Sequence, residues 1–402
     1  MDARHEEVHG IVSPGFEGVR AAFGENFERR HEVGGAVCAY YHGQKVVDLW
    51  GGVRNKLTGE PWQDDTMVLV YSATKGLAAM TLAIAHSRGW LDYDERVCAY
   101  WPAFAQRGKD RITVRQLLAH QAGLYALDEP VTRDLVADLD RLAAVLARQT
   151  PAWEPGTRQG YHAITLGFYQ NELLRRLDPE HRSLGQFFHD EIATPLGLDL
   201  YIRLPEDIPN TRLATIARPR TRDMVFGFSP RFLLEAFNPR SKITRALRGS
   251  ELPHDTQRVY ARNLEVPSGG AVGTARAIAR AYSAFATGGT ELGLRPETLK
   301  ALAAPAVAPT CGFFDVCMKG EAEFSLGFMK PNAVWHFGSP AAFGMPGSGG
   351  AMGFADPDTG IGYGYVTSQM GTSLTGDPRE VALRDAISGA VAALSVTPRA
   401  AA

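Results

Sequence analysis

The segment "VYSATKGLAAMTLAIAHSRG", Val70–Gly89, decides how the rest of the chain is read. The residues leading into it, "TMVLVYS", form a short apolar strand or extended lead-in. From Ala73 the pattern is apolar almost all round, as in a helix buried on every side, and Gly89 is placed to end it. Ser72 therefore stands at a strand-to-helix junction. Lys75 follows three residues later, on the same helix face. Two readings are open at this point. In one, Ser72 caps the helix and Lys75 runs out to solvent. In the other, the apolar surroundings strip water from Lys75 and lower its pKa, and the positive end of the helix dipole pushes the same way. A neutral amine beside a hydroxyl is a general base for a serine nucleophile. The spacing S-x-x-K occurs once in the chain.

Working outward, Phe16, Val19, Phe23 and Phe27 fall at spacings of three and four and predict an amphipathic helix. The runs on either side of His42-Gly43 predict a β-hairpin. "ITVRQLLAHQAGL" is expected to be helical as far as Gly123, and "LVADLDRLAAVLARQ" and "AITLGFYQNELLRRL" predict further helices. "GTARAIARAYSAFATGG" predicts a helix closed by Gly288-Gly289. "FSLGFMK", "AVWHFGS" and "IGYGYVTSQM" read as strands, and "EVALRDAISGAVAALSV" as a C-terminal helix. The order is helix, strands, a long helical middle, then strands and helix again. It suggests an α+β fold in which residues 1–70 and 262–402 build the sheet-bearing domain and residues 71–261 a mostly helical one. The Phe-rich stretch within residues 223–249 reads either as a helical hairpin on the body or as a wall over the site.

Composition excludes several classes of function. The chain has 402 residues, is 45% hydrophobic and 21% charged, and carries a formal net charge of −2. It shows no block of Lys or Arg, so neither nucleic acid nor a membrane surface is expected as a partner. No apolar run approaches the roughly 20 residues of a membrane span. The first thirty residues are charged and hold no apolar stretch of signal-peptide length. A soluble, cytoplasmic protein with reduced thiols is expected, with Cys38 and Cys98 as small buried residues. "HEEVH", His5–His9, matches a metalloprotease pattern. It stands at the chain's start without a strong apolar helix or a third ligand, so no metal is expected.

The segment from Leu69 through "LLAHQAGL" resembles the serine β-lactamase and penicillin-binding-protein superfamily, and is most similar to its class C β-lactamase-like branch, the family VIII carboxylesterases. Fainter likenesses lie in "VVDLWGG", in "EPGTRQGYHAITLGF" and in "GMPGSGGAMGFADPDTGIGYGYV". The resemblance implies a β-lactamase/transpeptidase-like fold, with a central antiparallel sheet flanked by helices and an inserted helical domain. It casts Ser72, Lys75 and Tyr161 as catalytic residues. Tyr161, which follows the "PGT" turn, would pass a proton between nucleophile and leaving group. It also casts the backbone N–H groups of Ser72 and Ser348 as an oxyanion hole.

This sequence departs from the family's pattern in two places. Ala163 stands where β-lactamases carry an asparagine. Met345-Pro346-Gly347-Ser348 stands where they carry Lys-Thr-Gly, so a cation that would grip a substrate carboxylate is missing. Met345 and Gly347 are then the expected substrate-binding residues, the first as a soft apolar surface. The expectation is a serine carboxylesterase acting on small neutral esters of short to medium chain through an acyl-enzyme, with no cofactor. A β-lactamase, D-amino-acid peptidase or amidase of the same fold is the alternative, and a non-catalytic binding or assembly protein the alternative of another class. No G-x-S-x-G pentapeptide is present, so an α/β-hydrolase is not supported. His120 is expected to orient its loop by hydrogen bonding.

Overall fold

The computed structural model describes residues 8–219, 235, 238–373 and 375–396. Its centre is a nine-stranded antiparallel sheet whose strands come from both ends of the chain. From the N-terminal part come β1 (Val8–Val12), β2 (Gly34–Tyr41), β3 (Gln44–Asn55) and β4 (Glu60–Pro61). From the C-terminal part come β10 (Phe324–Ser325), β11 (Phe328–Met329), β12 (Phe343–Pro346), β13 (Met352–Asp356) and β14 (Ile361–Thr367). The order is β1-β3-β2-β14-β13-β12-β11-β10, with β4 on β3. The ends meet where β14 pairs β2, from Ile361 opposite Tyr41 to Thr367 opposite Gly35. A smaller sheet joins β5 (Val68–Leu69), β6 (Leu200–Tyr201) and β7 (Val272–Gly273), and β8 (Phe314–Asp315) pairs β9 (Gly320–Glu321).

The predicted hairpin turn is explained by its dihedrals. His42 and Gly43 both have positive φ, +48° and +79°, as a two-residue loop between twisted strands requires. Helices cover both faces of the sheet. α1 (Glu17–Arg29) and the C-terminal helix Pro378–Val396 place Val19, Phe23, Leu383 and Ile387 against Tyr363 and Tyr365. On the opposite face a Cβ at Gly362 or Gly364 would run into the backbone of the Ala275–Ala286 helix. Large residues therefore fill one face of β14, while glycines admit a helix on the other.

α2 (Thr74–Ser87) runs through the main core, with every residue but His86 buried. This is the helix read from its apolar sequence. Several other expectations need correction. The helix expected to run to Gly123 spans only Val114–Leu118, because the chain reverses at His120, whose φ is +60°. "LVADLDRLAAVLARQ" forms two helices, Arg133–Ala137 and Leu139–Arg148. Asp138 breaks them by accepting the Arg141 amide at 3.0 Å as an N-cap. "AVWHFGS" contains no strand, since the Asn332 side chain binds the amides of Val334 and Trp335, each at 2.9 Å, and holds a turn there. β1 was not foreseen, because a glycine and charged neighbours mask its alternation.

Cys98 is half-buried rather than buried, and Cys38, Cys98, Cys311 and Cys317 are all free thiols. Of the Phe-rich stretch from Met224 to Phe237, all but Glu235 lie outside the described residues, as does most of "HEEVH". Among the described residues no His, Cys, Asp and Glu cluster is suited to a metal, and no helix is long and apolar enough to cross a membrane.

Candidate active site

Ser72 lies in a single 3₁₀ turn, Tyr71–Ala73, between β5 and α2. Tyr71 takes φ +46°, a left-handed conformation that costs a residue with a side chain of order 1 kcal/mol. Its neighbours fix it there. Thr74 Oγ1 donates to the Tyr71 carbonyl at 2.5 Å and accepts the Ala271 amide at 3.0 Å, while the Val70 amide bonds Ala271 O at 2.9 Å. The kink turns the Ser72 side chain into a cavity of about 150 Å³.

Lys75 is completely buried. Its Nζ lies 3.2 Å from Ser72 Oγ, 2.7 Å from the Ala163 carbonyl and 2.8 Å from the Ser268 carbonyl. Among the described residues no carboxylate pairs with it, and burial alone pushes its pKa well below the ordinary lysine value.

Two other buried lysines give a useful contrast. Lys109 Nζ donates to the carbonyls of Gln106, Ala147 and Gln149, and Lys330 Nζ to those of Leu302, Ala303 and Ala341. Each caps the negative end of a helix, where a cation is favoured, and each has its pKa lowered to about 8. Lys75 sits in the first turn of α2, the positive end, with two carbonyls instead of three. Position and ligand set single it out as the lysine most easily held neutral.

The Tyr161 phenol faces Ser72 across the cavity, and the Lys75 amine lies 4.7 Å from its ring centroid. Burial raises the phenol's pKa and the Ser72 contact offsets part of that rise. Tyr161 is carried on a loop joined to the "LLAHQAGL" turn by two histidines. His120 Nδ1 accepts the His162 amide at 3.0 Å. His162 Nε2 accepts the Leu124 amide at 2.9 Å, so its Nδ1 carries the proton and donates to Gly160 O at 2.7 Å. Burial pulls the His162 pKa down to about 3 and lowers that of His120 as well. Both rings are buried and neutral. They serve as connectors between loops.

Met345, Pro346 and Ser348 line the same cavity, with Tyr71, Ile164, Ile243, Leu247, Met318 and Met329. Among the described residues no charged side chain lines it. Gly347 is not on its wall. It lies instead against the strand leading to α2, where a Cβ would overlap the Val70 carbonyl oxygen. That close approach brings Ser348 beside Ser72. Of the expected site residues, Ser72, Tyr161, Met345 and Ser348 converge on the cavity, Lys75 stands directly behind Ser72, and Gly347 acts as a spacer. The carbonyls of Ala163 and Ser268 were not anticipated, since a backbone oxygen leaves no residue-type signal in the sequence.

A serine, a desolvated lysine and a tyrosine at the junction of an antiparallel sheet and a buried helix define a β-lactamase/transpeptidase-like α+β fold. The sequence profile of the beta-lactamase family matches residues 19–386. The chain belongs to that family. It is 33% identical over 379 residues to the esterase/beta-lactamase LipL of Mycobacterium tuberculosis, covering 90% of this chain and 83% of that protein. Among solved structures, a family VIII carboxylesterase superposes with a TM-score of 0.82 at 35% identity, over 96% of this chain and all of the other. A penicillin-binding protein homolog from Caulobacter crescentus superposes with a TM-score of 0.81 at 33% identity, over 96% of this chain and 100% of that one. Family and relatives make this chain an enzyme of the serine hydrolase type.

Proposed function

We propose that this protein is a carboxylesterase that cleaves small neutral esters of short to medium acyl chain through an acyl-enzyme on Ser72. The observation that carries the reading is the buried, carboxylate-free Lys75 amine 3.2 Å from Ser72 Oγ, behind a cavity that no charged side chain lines among the described residues. Ser72 Oγ attacks the ester carbonyl carbon, and its proton passes to Lys75 Nζ. The carbonyl oxygen becomes an anion facing the backbone N–H groups of Ser72 and Ser348. As the tetrahedral species collapses, the ester C–O bond breaks and the departing alkoxide takes a proton relayed by Tyr161. Water, deprotonated by the same pair, then attacks the acyl carbon, and Ser72 recovers its proton as the acid leaves.

Substrate class follows from the wall. A carboxylate brought into this cavity loses its hydration and meets hydroxyls but no cation among the described residues, whereas a neutral ester gains from contact with Met318, Met329 and Met345. This favours esters over β-lactams and peptides that bear a carboxylate.

The test compares p-nitrophenyl butyrate with nitrocefin, using the native protein and Ser72→Ala. Ester turnover that disappears in the variant, with nitrocefin at least about tenfold slower in kcat/KM, is the expected result; the factor corresponds to about 1.4 kcal/mol. Nitrocefin turnover equal to ester turnover would instead support the β-lactamase reading. Full esterase activity in Ser72→Ala would remove Ser72 from the reaction.

A further inference from the structure

We propose that Arg379, near the start of the C-terminal helix, is a positioning residue that fixes the turn presenting the Ser348 amide. The proposal rests on the reading of that amide as an oxyanion donor. The turn closes where the Gly350 amide donates to Gly347 O at 3.1 Å, with Ser348 and Gly349 at its centre, and the Gly347 amide bonds Ala351 O at 2.7 Å. Gly349 has φ +92°, a value that glycine takes at this place in a turn without strain. The Ser348 amide donates to no protein acceptor among the described residues, and Ser348 lines the cavity.

Three of the turn's four residues are glycines, so the turn has almost no side chains with which to pin itself. Its outer carbonyl, Gly349 O, is held from outside by the Gly371 amide at 3.0 Å and by Arg379 Nη2 at 3.0 Å. The guanidinium is itself locked. Asp377 takes it bidentately, from Nε at 2.9 Å and Nη2 at 2.8 Å. Nη1 donates to Gln369 O at 2.8 Å, Thr367 Oγ1 at 3.1 Å and Glu32 Oε1 at 3.3 Å. Thr367 ends β14 and Glu32 leads into β2, so the turn is tied to the middle of the sheet.

The side chains of Arg379, Glu32 and Asp377 are only 4%, 0% and 5% exposed. Burying ionised groups together is a poor source of stability, because desolvation offsets most of the attraction. What such a cluster supplies is orientation. Arginine suits the task because its planar fork serves several acceptors at once, which a lysine ammonium does not. The carbonyls of Gly349 and Gln369 and the carboxylate of Asp377 lie on different sides of the guanidinium, and only that shape spans them.

The test uses Arg379→Lys and, as a milder change that keeps the arginine, Asp377→Asn. Amide hydrogen exchange over residues 345–352, kcat and KM for p-nitrophenyl butyrate, and inhibition by butylboronic acid are measured beside Tm. For Arg379→Lys we expect faster exchange centred on residues 345–352, and kcat lower by about tenfold with KM within about twofold. Removing an oxyanion donor outright costs about 10²–10³, and here the donor is loosened. Boronate affinity should fall by the same factor as kcat. Asp377→Asn should give the same pattern at a smaller amplitude, and it carries the test if Arg379→Lys does not fold. Unchanged exchange in the turn overturns the proposal. So does a loss of rate that merely follows the folded fraction, or a loosened turn with unaltered kcat. If the native protein shows no Ser72-dependent turnover, the esterase reading fails, and the exchange measurement alone decides whether Arg379 holds the turn.

Discussion

The Lys75 amine meets the Ser72 hydroxyl at 3.2 Å while its other two polar contacts are the carbonyl oxygens of Ala163 and Ser268. A neutral amine has two N–H donors and one lone pair. The carbonyls can only accept, so they take the two N–H groups, and the lone pair is left facing the Ser72 proton. Burial disfavours the charged form, and the two carbonyls aim the lone pair of the neutral one.

Replacing this base without removing its length separates charge from basicity. Lys75→Arg keeps a cation that does not deprotonate, and kcat should fall by about 10³ if general-base catalysis operates. Because burial lowers the Lys75 pKa, kcat/KM should reach its plateau well below the pH at which a solvated lysine deprotonates, and should decline on the acid side as the amine is protonated. A rate that keeps climbing past pH 10 would mean a solvated lysine, and the assignment would be wrong.

Tyr161→Phe removes one oxygen and leaves the ring, which packs 5.7 Å from Phe324 and 5.0 Å from His120, centroid to centroid. Thermal stability should change little. The rate of ester cleavage should drop by about 10²–10⁴, most steeply for poor leaving groups that need a proton. Equal losses for p-nitrophenyl and alkyl esters would assign Tyr161 to packing or binding in place of proton transfer.

Met345→Lys restores a cation to the cavity wall. We expect the ratio of nitrocefin to p-nitrophenyl butyrate turnover to rise by about tenfold, the equivalent of one modest charge-assisted contact, with a lower Tm because the new ammonium is desolvated. An unchanged ratio in a folded variant would show that something other than the missing cation sets the substrate class.

Stability should depend on pH through His162. Its folded pKa is about 3 against an ordinary value near 6.5. Below about pH 6.5 the unfolded chain takes up a proton that the folded chain refuses. The neutral ring's contribution is therefore complete above pH 6.5 and is lost as pH falls toward 3, at up to about 1.4 kcal/mol per pH unit. His120, also lowered, acts in the same direction. Urea midpoints at pH 7, 6 and 5 should fall in the native protein and fall less steeply in His162→Gln, which offers both a donor and an acceptor. Equal slopes would contradict this account.

Much of the fold was legible because the signals were local. The all-round apolar pattern of Thr74–Ser87, the turn at His42-Gly43 and the periodicity around Phe16 and Phe23 each reflect a structure set by near neighbours. Two of the failures share a cause. Asp138 splits a continuous pattern and Asn332 turns a chain that reads as a strand, each because a side chain bonds backbone that periodicity does not describe. Val114–Leu118 stops short for another reason, the reversal of the chain at His120. For the site, spacing put Ser72 and Lys75 near one another but left open whether Ser72 merely capped the helix. Tyr161 and Ser348 needed the resemblance to a family.

What the sequence determined by itself is the buried helix that carries Lys75 and the place of Ser72 in the turn just before it, because a three-residue spacing at a helix start keeps two side chains close whatever lies around them. Only the tertiary structure decided the state of that pair. The oxygens that orient Lys75 come from residues 88 and 193 positions away, and the arginine that steadies the Ser348 turn comes from the C-terminal helix. These are largely backbone atoms, present at every residue whatever its side chain, so only the folded path of the chain says which of them meet.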